Sequence, residues 1–170
     1  MDRGRPVEVL VKAALPDAAF WRGRRVLLTG HTGFKGGWLT LWLRSLGAEV
    51  CGYSLAPSTE PSFFETAKVE TACRSVIGDI RDLPALERAF RDFWPDIILH
   101  LAAQPLVRRS YQDPLETYST NVMGTAHLLD LVRRTPEVQA ALIVTTDKCY
   151  ENLEQMAPYR ETDRLGGRDP

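Results

Sequence analysis

Short apolar runs alternate along this chain with polar turns and with segments of helical spacing. Each run has four to six residues, which is typical of strands buried on both faces of a parallel sheet. Because segments of helical spacing separate most of the runs, the pattern predicts a succession of βαβ units and hence an α/β fold. The predicted strands are Arg25–Thr29, Glu49–Tyr53, Arg74–Ile77, Asp96–Leu101 and Ala140–Val144.

Three longer segments carry helical periodicity. The first runs to about Leu46, with Gly47 as its cap, and the second covers Leu83–Trp94 and stops at Pro95. In the first helix one side is aromatic, and we expect these rings in the core: Phe34, Trp38 and Trp42. In the third, apolar residues recur every three or four positions and predict one long amphipathic helix: Leu115, Tyr118, Val122, Ala126, Leu129 and Val132.

Three glycines, Gly30, Gly33 and Gly36, lie between the first strand and the first helix. A loop in this position can present backbone N–H groups to a pyrophosphate at the positive end of the helix. The spacing is not the usual Gly-x-Gly-x-x-Gly, and a glycine triplet alone could be a tight turn. The complete βαβ setting favours dinucleotide binding, so we predict a Rossmann-type doubly wound parallel sheet that ends after about its fifth strand.

A hydroxyl, a carboxylate and an ammonium group follow directly after the fifth apolar run, at Thr146, Asp147 and Lys148. Parallel sheets bind their ligands at the carboxyl ends of their strands. This triplet is therefore the candidate for catalysis.

The motifs together resemble the extended short-chain dehydrogenase/reductases over about residues 20–170. The resemblance implies NAD as the cofactor and a role for each motif. The glycine loop would hold the cofactor phosphates, the turn after the third strand would meet the adenine, the turn after the fourth would flank the ribose, and a helical asparagine would support the nicotinamide. These positions are Gly30, Thr32, Gly33, Phe34, Lys35 and Gly36; Asp79 and Ile80; Leu101, Ala102 and Ala103; and Asn121.

Within that family, residues 30–39, 104–111 and 146–152 resemble the nucleotide-sugar 4,6-dehydratases. Lys148 and Lys35 point to the CDP-sugar branch, which implies CDP-glucose as the substrate and a role in making deoxysugars for surface polysaccharide such as O-antigen. The implied reaction oxidises C4, eliminates water across C5 and C6 and returns hydride to C6.

The resemblance also assigns roles to individual side chains. Thr146 would hydrogen-bond the oxygen at C4, and Asp147 would donate a proton to the leaving C6 hydroxyl. Lys148 would act as the base at C5 or, if it stays charged, as an electrostatic stabiliser. Gln104 and Arg109 would face the sugar, although Arg109 could instead pair with Asp113 or Glu116.

The family's catalytic Tyr-x-x-x-Lys pair has no match in these residues, because Tyr159 is followed four positions later by Asp163 and Tyr150 by Glu154. We expect the pair beyond residue 170, no activity from this chain alone, and a homodimer of the full-length protein. The fifth strand should be an exposed sheet edge. Two alternatives stay open: another nucleotide-sugar dehydratase or epimerase, and a non-catalytic dinucleotide-binding module.

Composition limits the number of domains, the kinds of partner and the cellular location that we expect for the protein. A chain of 170 residues with 44% hydrophobic residues fits one domain, which we place at 20–170 after a loosely ordered extension at 1–19. A net charge of -1 argues against nucleic-acid partners, and the apolar runs are too short to span a membrane. Three cysteines without a Cys-x-x-Cys pair favour the cytoplasm, and three histidines without ligand spacing predict no metal.

Overall fold

A five-stranded parallel sheet forms the centre of the fold. The structure, a computed structural model, describes residues 16–146, 148–154 and 156–167. The strand order is β3-β2-β1-β4-β5, which is the order of a doubly wound sheet and confirms the predicted fold class. The strands are β1 (Arg25–Thr29), β2 (Glu49–Ser54), β3 (Arg74–Ile77), β4 (Ile97–His100) and β5 (Ala140–Ile143). β5 is an edge strand, as expected.

Short helices connect the strands, and local signals set several of their ends. The helices are α1 (Ala18–Trp21), α2 (Phe34–Ser45), α3 (Phe63–Thr66), α4 (Leu83–Phe93), α5 (Val107–Gln112), α6 (Pro114–Tyr118) and α7 (Thr125–Arg133), with a 3₁₀ turn at Val69–Ala72 and a π-helical turn at Ser119–Gly124. The Asp82 side chain caps α4 by accepting from the N–H of Ala85. Of the predicted extension, residues 1–15 lie outside the described residues.

The core lies on both faces of the sheet. On one face, α4 and α7 pack Phe90 and Leu128 against Leu27 and Ile98. On the other face, α2 packs Leu43 against a second set of strand residues, Val26, Leu28, Val50, Ile97 and Leu99. Successive strand residues point to opposite faces, so continuous apolar strands are what this arrangement requires.

The aromatic side of α2 is exposed, so the expectation that it belongs to the core is wrong. The exposed fractions of Phe34, Trp38 and Trp42 are 68%, 55% and 50%. The helix instead buries its opposite side, on which most residues are small: Gly36, Gly37, Thr40 and Leu43. Small residues let the helix axis come closer to the sheet than aromatic rings would allow.

The predicted long helix is confirmed in extent, but its predicted buried face is wrong. The helix runs without a break from Pro114 to Arg133 through α6, the π-helical turn and α7, because the residues at both junctions keep right-handed helical backbone angles. The apolar stripe that gave the prediction faces outward, with Leu115 81% exposed and Leu129 44% exposed, whereas Gly124, Leu128 and Leu131 are buried. The π-helical turn changes the angular register of the side chains, so a single 3.6-residue period misplaces the buried face.

Two leucines of this segment, one buried and one exposed, give a matched test. We expect Leu128→Ala to lower the free energy of unfolding by about 3 kcal/mol, because it leaves a cavity in the core. Leu115→Ala, the same substitution at an exposed site, should cost less than about 1 kcal/mol. Chemical denaturation of the two variants and the unchanged protein measures both values. Equal losses would contradict the burial described here.

Candidate functional site

Two loops meet at the point where the strand order reverses, between β1 and β4. Gly30 follows β1 with φ of +81°, and a Cβ there would lie 2.9 Å from the backbone N of Ala102. The turn after β4 therefore packs directly against the glycine turn. Crevices at such switch points, outside the carboxyl ends of the strands, are where doubly wound sheets bind ligands.

The amino end of α2 opens into this crevice without a capping side chain. Its N-cap residue is Gly33, and a glycine has no side chain with which to cap the helix. The turn is tight, because a Cβ on Gly36 would lie 2.0 Å from the carbonyl oxygen of Gly30. The first-turn N–H groups of a 12-residue helix thus stand at its positive end without a side-chain acceptor. This cradle fits a phosphate or pyrophosphate group.

Thr32 ties the glycine turn to the end of β2. Its buried hydroxyl donates to the carbonyl oxygen of Leu55 at 2.9 Å and lies 2.8 Å from the Ser54 hydroxyl. The side chains of Phe34 and Lys35 are exposed on the first turn of α2. The glycine turn is therefore fixed on the side that faces the end of β2, whereas the side chains at its helical end face solvent.

The turn after β3 is internally bonded. The Asp79 carboxylate pairs with Arg81, and this guanidinium lowers the pKa of the Asp79 carboxyl. The buried Tyr53 hydroxyl donates to the Asp79 carbonyl oxygen at 3.0 Å. The Ile80 side chain is buried in the core, and its carbonyl oxygen lies 3.2 Å from Nδ1 of His127.

Asn121, in the π-helical turn, clamps the turn after β4. Its Oδ1 accepts from the N–H of Gln104 at 2.7 Å, and its Nδ2 donates to the Gln104 carbonyl oxygen at 3.0 Å. The Gln104 side chain is itself engaged, since its amide bonds Thr117 at 2.9 Å and its oxygen accepts from the N–H of Leu106. Leu101 and Ala102 are half-buried and Ala103 is exposed beside this clamp.

Arg109 pairs with Glu116 in this structure, one of the two acidic partners that the sequence allowed. Both residues lie on the α5–α6 segment that follows the Gln104 clamp. The Arg109 side chain is 55% exposed, and ion pairs at such sites contribute little to stability because water screens them.

Two members of the polar triplet, Thr146 and Lys148, lie beyond β5, at the carboxyl ends of the strands where the glycine turn also lies. Thr146 and Lys148 are exposed, and the N–H of Lys148 donates to the Thr146 hydroxyl at 3.0 Å. Asp147 lies outside the described residues. Since β4 and β5 are neighbours, the triplet follows the strand next to the one that carries the Gln104 turn.

Two buried polar residues and one half-buried one at this edge were not among the predicted site residues: Thr29, His100 and Thr125. They form one hydrogen-bonded group beneath the crevice. The signal was present, because a polar residue follows three apolar residues at the end of each of the strands Arg25–Thr29 and Ile97–His100. In the described ranges no group of three or more acidic, histidine or cysteine side chains could hold a metal ion. No helix among them is long and apolar enough to cross a membrane.

These features define a dinucleotide-binding domain of the Rossmann type. The family model described as GDP-mannose 4,6 dehydratase matches residues 27–170, so the chain belongs to that family. It is 53% identical over 154 residues to a CDP-glucose 4,6-dehydratase of Salmonella typhimurium, covering 91% of this chain and 43% of that protein. A GDP-mannose 4,6-dehydratase of Yersinia enterocolitica is 30% identical over 163 residues, covering 86% of this chain and 41% of that one.

Solved structures agree with the fold. A UDP-glucose 4-epimerase of Thermus thermophilus, in complex with NAD, superposes with a TM-score of 0.74 at 29% identity, over 85% of this chain and 45% of that one. The chain spans less than half of the length of the curated relatives described above.

His31, in the glycine turn, is a fully buried imidazole. Its Nε2 lies 2.7 Å from the Ser75 hydroxyl, and its ring stands edge-on to Phe64, with the ring centres 5.4 Å apart. Among the described residues, nothing hydrogen-bonds its Nδ1. Burial lowers the pKa of His31 to about 4.

This burial predicts an acid-sensitive fold. An unfolded histidine titrates near its ordinary pKa of about 6.5, so between that pH and about pH 4 the unfolded chain binds a proton that the folded chain does not. The contribution of His31 to the free energy of unfolding should be fully present above pH 6.5. The free energy of unfolding should then fall by roughly 3 kcal/mol as the pH drops to 4. Burial of His100 acts in the same direction. Denaturation at several pH values measures the slope, and His31→Ala should flatten it; an unchanged slope would contradict the assignment to His31.

Proposed function

We propose that this chain forms the cofactor-binding part of an NAD-dependent CDP-glucose 4,6-dehydratase. The uncapped amino end of α2 at the switch point is the observation that carries the proposal, because it offers backbone donors to a pyrophosphate. The substrate is inferred from the 53% identity to the Salmonella typhimurium enzyme.

The residues would hold NAD along the carboxyl edge of the sheet. The phosphates would lie on the turn from Gly30 to Gly36, with the Thr32 hydroxyl holding that turn and Phe34 and Lys35 at its open side. The adenine end would lie by Asp79 and Ile80, and the ribose by Leu101, Ala102 and Ala103, with Asn121 at the nicotinamide end. Bound there, NAD would supply a reversible hydride acceptor for the oxidation at C4 of glucose and the reduction at C6 that follows loss of water across C5 and C6.

The polar triplet would serve the elimination. The Thr146 hydroxyl would donate a hydrogen bond to the oxygen at C4, where negative charge develops once the C5 proton has left. Asp147 would give its proton to the departing C6 hydroxyl. Lys148 would take the C5 proton as a neutral amine or stabilise the enolate as an ammonium ion.

The substrate end would lie at the turn after β4. Gln104 would face the sugar, and Arg109 would leave Glu116 to bind a phosphate of the nucleotide, since a guanidinium binds phosphate through two parallel hydrogen bonds. The tyrosine that accepts the C4 hydroxyl proton in related enzymes has no match in these residues, so we expect activity only in a homodimeric protein that also supplies it. Such an enzyme would work in the cytoplasm on precursors of surface polysaccharide.

Gly33 offers a direct test of the phosphate cradle. Its backbone is in the extended region, and an added Cβ would meet only the Gly30 oxygen at 3.4 Å, so a side chain is tolerated there. Gly33→Asp should cap α2 and raise the melting temperature slightly, yet weaken NAD binding about 100-fold or more, because its carboxylate would occupy the anion site.

The matched control is Gly33→Ser, which caps the helix without adding charge. Its NAD affinity, measured by titration calorimetry, should fall far less than that of Gly33→Asp. If both variants bound NAD like the unchanged protein, the phosphates would lie elsewhere and the proposal would fail. Parallel titration with NADP measures the preference for NAD.

Turnover tests the substrate and the triplet. A preparation of a protein that contains this chain together with the Tyr-x-x-x-Lys pair should convert CDP-glucose to a product lighter by one water, which mass spectrometry detects. Its turnover of dTDP-glucose or GDP-mannose should be slower. In that preparation Thr146→Val should lower kcat about 100-fold with unchanged NAD affinity, because the lost hydrogen bond acts on the transition state. If a protein that also carries the Tyr-x-x-x-Lys pair bound NAD but turned over none of these nucleotide sugars, a non-catalytic dinucleotide-binding module would be favoured.

A further inference from the structure

A continuous chain of hydrogen bonds runs beneath the crevice, from the end of β1 to the π-helical turn. The Thr29 hydroxyl lies 2.6 Å from Nδ1 of His100, and Nε2 of His100 lies 3.0 Å from the Thr125 hydroxyl. Thr29 and His100 are 0% and 2% exposed. The hydrogen bonds of this histidine are therefore made to protein groups, and removing them leaves buried polar atoms without partners.

The bonds at the β1 end determine which nitrogen carries the proton. The Thr29 hydroxyl oxygen accepts from the N–H of Ala102 at 3.1 Å, and it shares the N–H of Leu101, also at 3.1 Å, with the Thr29 carbonyl oxygen at 3.2 Å. These acceptor contacts leave the Thr29 hydrogen for the contact with His100. Nδ1 of His100 is therefore the acceptor and carries no proton.

The bonds at the other end give the same answer independently. The Thr125 hydroxyl donates to the carbonyl oxygen of Asn121 at 2.7 Å, so it can only accept from His100. Nε2 of His100 thus carries the proton. Burial lowers the pKa of His100, which agrees with a neutral ring.

The two ends of this chain touch the two parts of the proposed cofactor site. Thr29 holds the backbone at Leu101 and Ala102, and the helical turn reached through Thr125 carries Asn121, which clamps Gln104. The imidazole spans the gap between them. It is the one side chain in the described ranges that bonds both Thr29 and Thr125.

We infer that His100 is a positioning residue for the dinucleotide: as a neutral Nε2–H imidazole it ties the backbone at Leu101 and Ala102, through Thr29 and Thr125, to the helix that carries Asn121, beside the direct hydrogen bonds between Asn121 and Gln104. This inference rests on the proposed NAD site, because the positioning matters only for a ligand that bridges those two parts. His100 itself touches no reacting atom and acts through Thr29 and Thr125.

Three variants separate positioning from simple packing. His100→Phe keeps a ring but removes both hydrogen bonds, and should raise the NAD dissociation constant about tenfold or more. His100→Gln can accept with Oε1 and donate with Nε2, and should restore affinity to within about threefold. Ile98→Val, two residues away in the same buried strand, should lower the melting temperature without changing NAD affinity.

Amide hydrogen exchange gives a readout that does not need the cofactor. In His100→Phe the amides of Ala102 and Gln104 should lose protection, whereas that of Leu27 in β1 should keep it. If the unchanged protein and His100→Phe bound NAD equally well, the inference alone would be overturned. Failure of the unchanged protein to bind NAD at all would overturn the proposed function, and the cofactor role of His100 with it.

Discussion

The contact between Gly30 and the turn after β4 is the constraint on which the rest of the site depends. Backbone meets backbone there, with no room for a methyl group on Gly30, and Gly36 in turn leaves no room beside the Gly30 carbonyl. These close approaches bring the amino end of α2 to the switch point of the sheet. A helix end is an anion site only where it is left open, and Gly33 leaves this one open.

The same constraint explains why the aromatic rings of α2 face outward. A helix that approaches the glycine turn at Gly36 and the side chain of Phe63 at Gly37 can present only its narrow side to the protein. The wide side then carries the rings, which form a cluster of their own: Trp38 stacks on Phe63 with ring centres 5.1 Å apart, and Phe34 meets the same ring edge-on at 5.4 Å. Hydrophobic character alone could not reveal this, because packing distance and not hydropathy chose the buried side.

Polar groups divide into two kinds along the carboxyl edge of the sheet. Thr29, His100 and Thr125 lie beneath the crevice with their hydrogen bonds paired, so they hold the backbone in one arrangement. Thr146 and Lys148 lie at the surface, with one hydrogen bond between them. The first kind can position a ligand without touching it, while the second kind is free to meet a substrate. A sequence shows both kinds only as polar residues after strands.

The sequence by itself determined the parallel α/β sheet, the position of the glycine turn and the motif positions along the carboxyl edge, because strand and turn signals are local and the sheet order follows from them. Only the tertiary structure decided which helix faces are buried, that Arg109 pairs with Glu116 and that His100 joins β1 to the π-helical turn. The buried helix faces and the His100 link depend on contacts between residues far apart in the chain, such as Thr29 and His100, whereas the Arg109–Glu116 pair depends on how α5 and α6 are placed. The periodicity of a sequence carries no information on the distance between two segments. Close packing and buried hydrogen bonds depend on that distance.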